Sequence, residues 1–161
     1  MRVVAIVGRQ DSGKTTLIER LIPVLVSRGL SVSTIKHTHH HQIELDVPGK
    51  DSHRHRLAGA AEVIVASDSG WARLAAAATP ASLPQLLAEL RPVDLVLVEG
   101  FKHLEGLRRL EVFRGPGTPL ALADPGIAAV VAPPDLPLAG YTGPRLSPDD
   151  LPSVVEFLLR E

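Results

Sequence analysis

The 161-residue chain contains no cysteine, which excludes disulfides, thiolate zinc sites and iron–sulfur clusters. Aromatic residues are scarce: one tryptophan, one tyrosine and three phenylalanines. The core must therefore be mostly aliphatic, and Trp71 and Tyr141 read as packing residues rather than as platforms for a base. No apolar run approaches the roughly 20 residues that a membrane span needs. The opening MRVVAIVG lacks the charged, apolar and small-residue succession of a secretory signal, so a cytoplasmic protein with no membrane partner is expected. Charge is unbiased as well. The formal net charge is -1, without the basic footprint of a nucleic-acid binder, so no nucleic-acid partner is expected.

What is present is a regular alternation of element types. The length suits one domain over residues 1–161, able to bury roughly 70% of its unfolded surface. Residues 3–7 form an apolar, β-branched run stopped by Gly8, as in a parallel strand buried on both faces. Residues 13–29 carry Leu17, Leu21 and Leu25 on one helical stripe beside Ile18, Ile22 and Val26, with Gly29 as C-cap and a kink expected at Pro23. Residues 30–35 read as a strand, 51–60 as a short helix and EVIVAS as a strand, whereas WARLAAAA is ambiguous between strand and helix. A helix over 82–90 has Ser82 as N-cap, and VDLVLVEG is a clear strand. Short strands are expected at 110–113, 120–123 and 128–131. A last helix opens at Ser147-Pro148-Asp149-Asp150 with Leu151, Val154, Val155 and Leu158 inward. Strands alternating with helices predict a mostly parallel α/β sheet.

Between the first strand and first helix lies GRQDSGKTT, residues 8–16. This is G-x-x-x-x-G-K-[ST] in the context that motif requires. Gly8 and Gly13 let backbone N–H groups, with those of Asp11 and Ser12, wrap phosphate oxygens, and the helix dipole adds its positive end. Lys14 can reach the β- and γ-phosphates, Thr15 offers a hydroxyl to Mg²⁺, and Thr16 can touch an α-phosphate. Such a loop needs an acid near the metal. Ligands of open parallel sheets bind beyond the carboxyl ends of the strands, which selects Glu99 and leaves Asp94 as a solvated charge at the opposite end.

The segment IKHTHHHQIELDVPGKDSHRH, residues 35–55, holds six of the seven histidines. His37, His39 and His41 share one face if extended, as a zinc or nickel site would use them. Three readings stay open for this loop: transition-metal binding, a solvated polar loop, and a segment framing phosphate and Mg²⁺. The last is favoured by Lys36, Glu44, Asp46, Lys50 and Asp51, and by the stiff VPGK turn.

GRQDSGKTTLIERLIPVLVSRG, IKHTHHHQIELDVPGKDSHRHRLAGA and LVLVEGFKH together resemble the MobB family, the GTP-binding adaptor proteins of molybdenum-cofactor biosynthesis. The resemblance implies a P-loop NTPase fold, of the class shared with dethiobiotin synthetase and metal-delivery GTPases. The expected architecture is a mostly parallel twisted sheet flanked by helices, three-layer α/β/α, with a short antiparallel extension. It implies a homodimer that binds GTP and Mg²⁺ with at most slow hydrolysis. The implied partners are a MobA-type guanylyltransferase and molybdopterin or its guanine dinucleotide. Carried onto this chain, Gly8, Asp11, Ser12, Gly13, Lys14, Thr15 and Thr16 hold phosphate, and Thr15, Glu99 and Asp46 hold Mg²⁺. Lys36, His37, Lys50, Asp51, Gly100 and Lys102 line the site. No catalytic residue is assigned.

No N-K-x-D guanine motif occurs. Asp124, expected at the end of a strand, is the candidate guanine contact, and a turn-initiating Asp before Pro125 is the competing reading. Two other functions remain open: an ATP-dependent small-molecule kinase or ligase of the dethiobiotin synthetase type, and a metal-delivery GTPase.

Overall fold

In the computed structural model, residues 1–38, 47–75, 79–101 and 106–160 are described. In chain order the elements are β1 (Arg2–Val7), α1 (Lys14–Ser27), β2 (Val32–Lys36), α2 (Asp51–Leu57), β3 (Glu62–Ser67), β4 (Gly70–Ala75), α3 (Leu83–Ala88), β5 (Leu95–Glu99), β6 (Arg108–Val112), a 3-10 turn (Leu120–Leu122), β7 (Ile127–Val131), β8 (Arg145–Leu146) and α4 (Leu151–Leu159). They fall into two units: Met1–Thr38 with Leu86–Glu161, and His39–Gln85.

The first unit is built on a six-stranded sheet in the order β2-β5-β1-β6-β7-β8, and every neighbouring pair runs parallel. The expected α/β class thus holds, and the central strands are as apolar as strands covered on both faces must be. Val4, Ile6, Leu95, Leu97, Leu110, Val112, Ala129 and Val131 point to one face, where they form one core with Leu17, Leu21 and Leu25 of α1 and Val154, Val155 and Leu158 of α4. Each such aliphatic side chain contributes about 2 kcal/mol on burial, so the 3.6-residue stripe of α1 suffices to dock it. α1 continues through Pro23 to Ser27. On the other face, Phe113, Val130 and Ala132 are covered by Ala121, Leu136, Leu138 and Tyr141.

The amino edge of the sheet is tied by side chains. Asp94 accepts from the Ser31 amide at 2.8 Å and the Ser31 hydroxyl at 2.6 Å. The hydroxyl bond above all, then the amide, holds the Asp94 carboxyl below its ordinary value. α4 starts later than expected. Its N-cap is Asp150, which accepts from the Ser153 amide and hydroxyl, while Ser147 belongs to the preceding turn.

Residues 120–123 do not form the expected strand. Glu111, fully buried on β6, accepts from the amides of Leu120 and Ala121 at 2.8 and 2.9 Å. A buried carboxylate needs such donors, and gathering two consecutive N–H groups curls the chain into a 3-10 turn.

The second unit carries an antiparallel pair, β3–β4, which resolves WARLAAAA as a strand over its described part. The pair is apolar but little covered: Ile64 is 60% exposed, Val65 47% and Trp71 62%. Tyr141 packs as expected and Trp71 does not.

Candidate functional site

The parallel register decides which side chains meet at the carboxyl edge. Glu99, the last residue of β5, lies beside Ile6 of β1 on one side and Lys36, the last residue of β2, on the other. The backbone continues the pairing past the strand ends, with the His37 amide donating to Glu99 O and the Gly100 amide to Ile6 O. Two residues beyond Ile6 the chain enters the glycine loop. A Cβ at Gly8 would lie 2.5 Å from the carbonyl oxygen of Val112. Asp11 takes the left-handed region at φ 57, which Asp tolerates better than most residues. Ser12 is buried, and its hydroxyl has no partner among the described residues. The residue before α1, Gly13, is also left-handed, and no side chain caps the helix. An uncapped helix N-terminus facing a glycine loop is a standing anion site.

Around it, Lys14 donates to the carbonyls of Gly8 at 3.2 Å and Arg9 at 2.6 Å. The Thr15 hydroxyl donates to Glu99 Oε1 at 2.8 Å. Lys36 Nζ stands 3.6 Å from that same oxygen and 3.5 Å from Thr15 Oγ1. Thr16 follows, exposed, in the first turn of α1. A hydroxyl and a carboxylate in contact, with a cation already against both, form a hard-oxygen pair of the type Mg²⁺ uses when phosphates complete its shell.

Of the remaining expected residues, Gly100 leaves no room for a side chain, since a Cβ there would lie 3.2 Å from the Cβ of His37, and the His37 ring packs against Phe101 with centroids 4.6 Å apart. Lys50 and Asp51 sit in the second unit, as the N-cap position and first residue of α2, with Asp51 3.6 Å from Arg54. Asp46, Lys102 and the histidines 39–41 lie outside the described residues. Among the described residues, no three or more His, Asp or Glu side chains gather as a metal cluster.

Asp124 requires a correction. Without a strand at 120–123, the chain descends along β6 from Glu111 to Arg109, and Asp124 is reached just before β7 begins, at the amino edge. There Arg109 holds both its oxygens, at 2.6 and 2.8 Å, and the Gly126 amide donates to it. The turn-initiating reading describes this carboxylate, which lies at the amino edge of the sheet and not beside the glycine loop.

One residue escaped sequence reading. Arg114, two residues past β6, packs against Gly13, its Nε 3.3 Å from where a Cβ would stand. With Arg9 it walls a cavity of about 260 Å³ between the glycine loop and the end of β6. Only its place after a strand paired to β1 marks it, and that pairing is not written in local sequence.

With this geometry in view, the chain's relatives are informative. A family model described as MobB, molybdopterin guanine dinucleotide synthesis protein B, matches residues 3–133. The molybdopterin-guanine dinucleotide biosynthesis adapter protein of Haemophilus influenzae is 47% identical over 103 residues, 63% of this chain and 57% of that one. The Escherichia coli protein of the same description is 44% identical over 116 residues, 70% of this chain and 65% of that one. The match thus spans less than two thirds of either curated relative. The crystal structure of Bacillus subtilis MobB superposes with a TM-score of 0.78 at 25% identity, over 99% of this chain and 96% of that one.

Proposed function

The chain belongs to the MobB family, and on that premise we propose that it is a GTP-binding adaptor in molybdopterin guanine dinucleotide synthesis. The observation that carries this reading is the convergence of the uncapped α1 N-terminus, Lys14, Thr15 and Glu99 at one sheet edge. Backbone amides of residues 8–13 and the Lys14 ammonium hold the phosphate chain, with Thr16 at its near end. Thr15 and Glu99 supply oxygen ligands to Mg²⁺, which when bound neutralises charge on the β- and γ-phosphates. Asp46 is proposed as a further acid, and Lys36, His37, Lys50, Asp51, Gly100 and Lys102 as lining. Guanine preference, slow hydrolysis, a cytoplasmic setting and the partners are drawn from the family: a MobA-type guanylyltransferase, and molybdopterin or its guanine dinucleotide.

The deciding experiment is calorimetric titration of the purified chain with GTP in Mg²⁺ buffer, with ATP as competitor. The expected result is GTP binding that equimolar ATP does not displace. ATP binding as tight as GTP sinks the adaptor reading in favour of a kinase or ligase.

A homodimer is the proposed assembly, and the exposed apolar residues Ile64 and Trp71, which the register of β3–β4 puts on one face, support a second copy as its cover. Sedimentation equilibrium should give twice the chain mass for the wild type and a shift toward monomer for Ile64→Asp combined with Trp71→Asp. A monomeric wild type rejects the assembly.

A further inference from the structure

Lys36 stands against the side chains that would hold Mg²⁺. Its ammonium lies 3.6 Å from Glu99 Oε1 and 3.5 Å from Thr15 Oγ1, the two oxygens assigned to Mg²⁺. The placement is not a chance excursion of a long side chain. Lys36 and Glu99 are register partners on adjacent parallel strands, and both are the last residues of their strands. Glu99 is 13% exposed, so its carboxylate is largely screened from solvent and calls for a cation. Lysine suits a removable counter-charge, being a compact point charge on a flexible four-carbon stem.

We propose that Lys36 is a tethered cation that competes with Mg²⁺ for Glu99 and Thr15, and that it thereby selects nucleoside triphosphate over diphosphate. The inference rests on the P-loop reading above and adds a role that the reading leaves blank. Hydrated Mg²⁺ sheds its waters reluctantly and needs several oxygen ligands. Offered only Thr15 and Glu99, it must also expel an ammonium already paired with them, so free Mg²⁺ binds poorly. Mg²⁺ that arrives on a triphosphate brings further oxygens and displaces Lys36. The freed ammonium then needs a new anion within reach of its stem, and a terminal phosphate at the metal supplies one. A diphosphate has no such group, so its binding leaves Lys36 either uncompensated or still competing with the metal. The energetic difference between the two ligands therefore runs through Lys36.

The test compares wild type with Lys36→Gln and Lys36→Arg. The side chain is 61% exposed, so the substitutions leave the fold in place, which the thermal midpoint checks. In the first arm the nucleotide-free proteins are titrated with Mn²⁺ and free ion is followed by electron paramagnetic resonance. Lys36→Gln should bind Mn²⁺ roughly ten-fold more tightly than wild type, because an opposing charge is gone, and Lys36→Arg should stay near wild type. In the second arm the ratio of GDP to GTP dissociation constants is measured in Mg²⁺ buffer, and it should fall about ten-fold in Lys36→Gln. Unchanged Mn²⁺ affinity in the Gln variant overturns the competition, and an unchanged ratio overturns the selection. A wild type that binds no nucleotide overturns the P-loop reading instead, and the Mn²⁺ arm still decides the competition.

Discussion

Replacing Lys14 with alanine is expected to lower GTP affinity by roughly 100-fold while lowering the thermal midpoint by only a few degrees. Two opposing effects set that figure. In the bound state the ammonium makes charge-assisted hydrogen bonds to phosphate oxygens, about 1.5–3 kcal/mol each, and two are within its capacity. In the free state it is already engaged with the carbonyls of Gly8 and Arg9, and each of those contacts stabilises by about 1 kcal/mol. Binding exchanges the second set for the first, so the loss on mutation centres near 2.5 kcal/mol, and about 1.4 kcal/mol is one factor of ten. The variant's fold should survive because the two bonds to Gly8 and Arg9 stay within the glycine loop and Lys14 lies outside the buried core. Calorimetry on wild type and Lys14→Ala reads the ratio directly. A loss below ten-fold would mean that phosphate does not sit where Lys14 can reach it, and the cradle assignment would fail. The pattern also separates this residue from Lys36, whose removal should alter the triphosphate-to-diphosphate ratio more than overall affinity.

How much of this was legible in the sequence depends on whether the cause was local. The loop from Gly8 to Thr16 could be read because its glycines, lysine and hydroxyls act within one strand–turn–helix. Glu99 could be read because an apolar run ends at it and parallel sheets bind ligands at that end. Lys36 could be named as lining, but its pairing with Glu99 could not be foreseen. That pairing follows from the order β2-β5-β1, which brings together strands some sixty residues apart in the chain. Arg114 stayed hidden for the same reason, since it reaches Gly13 only because β6 pairs with β1.

The errors have the same origin. LALAD at 120–124 alternates like a strand, yet the buried carboxylate of Glu111 overrides that weak local preference by drawing in two amides. A strand over those residues would end with Asp124 at the carboxyl edge, whereas the 3-10 turn leaves it at the amino edge. Removing one element moved the supposed guanine contact to the side held by Arg109. The start of α4 failed in a smaller way. Ser147 and Asp150 are both good caps, and only the bonds from Ser153 choose between them.

The second large effect concerns the hinge between β1 and the cradle, where Gly8→Ala should cost roughly 3 kcal/mol of stability, about 6–12 °C in thermal midpoint. Gly8 has φ +148, a region that is essentially closed to other residues and costs of order 1–3 kcal/mol when forced. The added methyl would also lie 2.5 Å from Val112 O and 2.7 Å from Ser12 Oγ. The serine hydroxyl can rotate away, but the carbonyl cannot. Val112 is paired to Val131 within the sheet, and the following amide, Phe113, is bonded to Val131 O. Moving it means shifting β6 against the core that Leu110 and Val112 share with α1 and α4. Gly29 provides the control. It is also left-handed, at φ +80, with nothing within 4 Å of a Cβ, so Gly29→Ala should show the backbone cost alone, about 1 kcal/mol. If thermal unfolding finds the two variants equally destabilised, the Val112 contact is not rigid. The close seating of the loop against β6, on which the approach of Arg114 to Gly13 also depends, would then have to be abandoned.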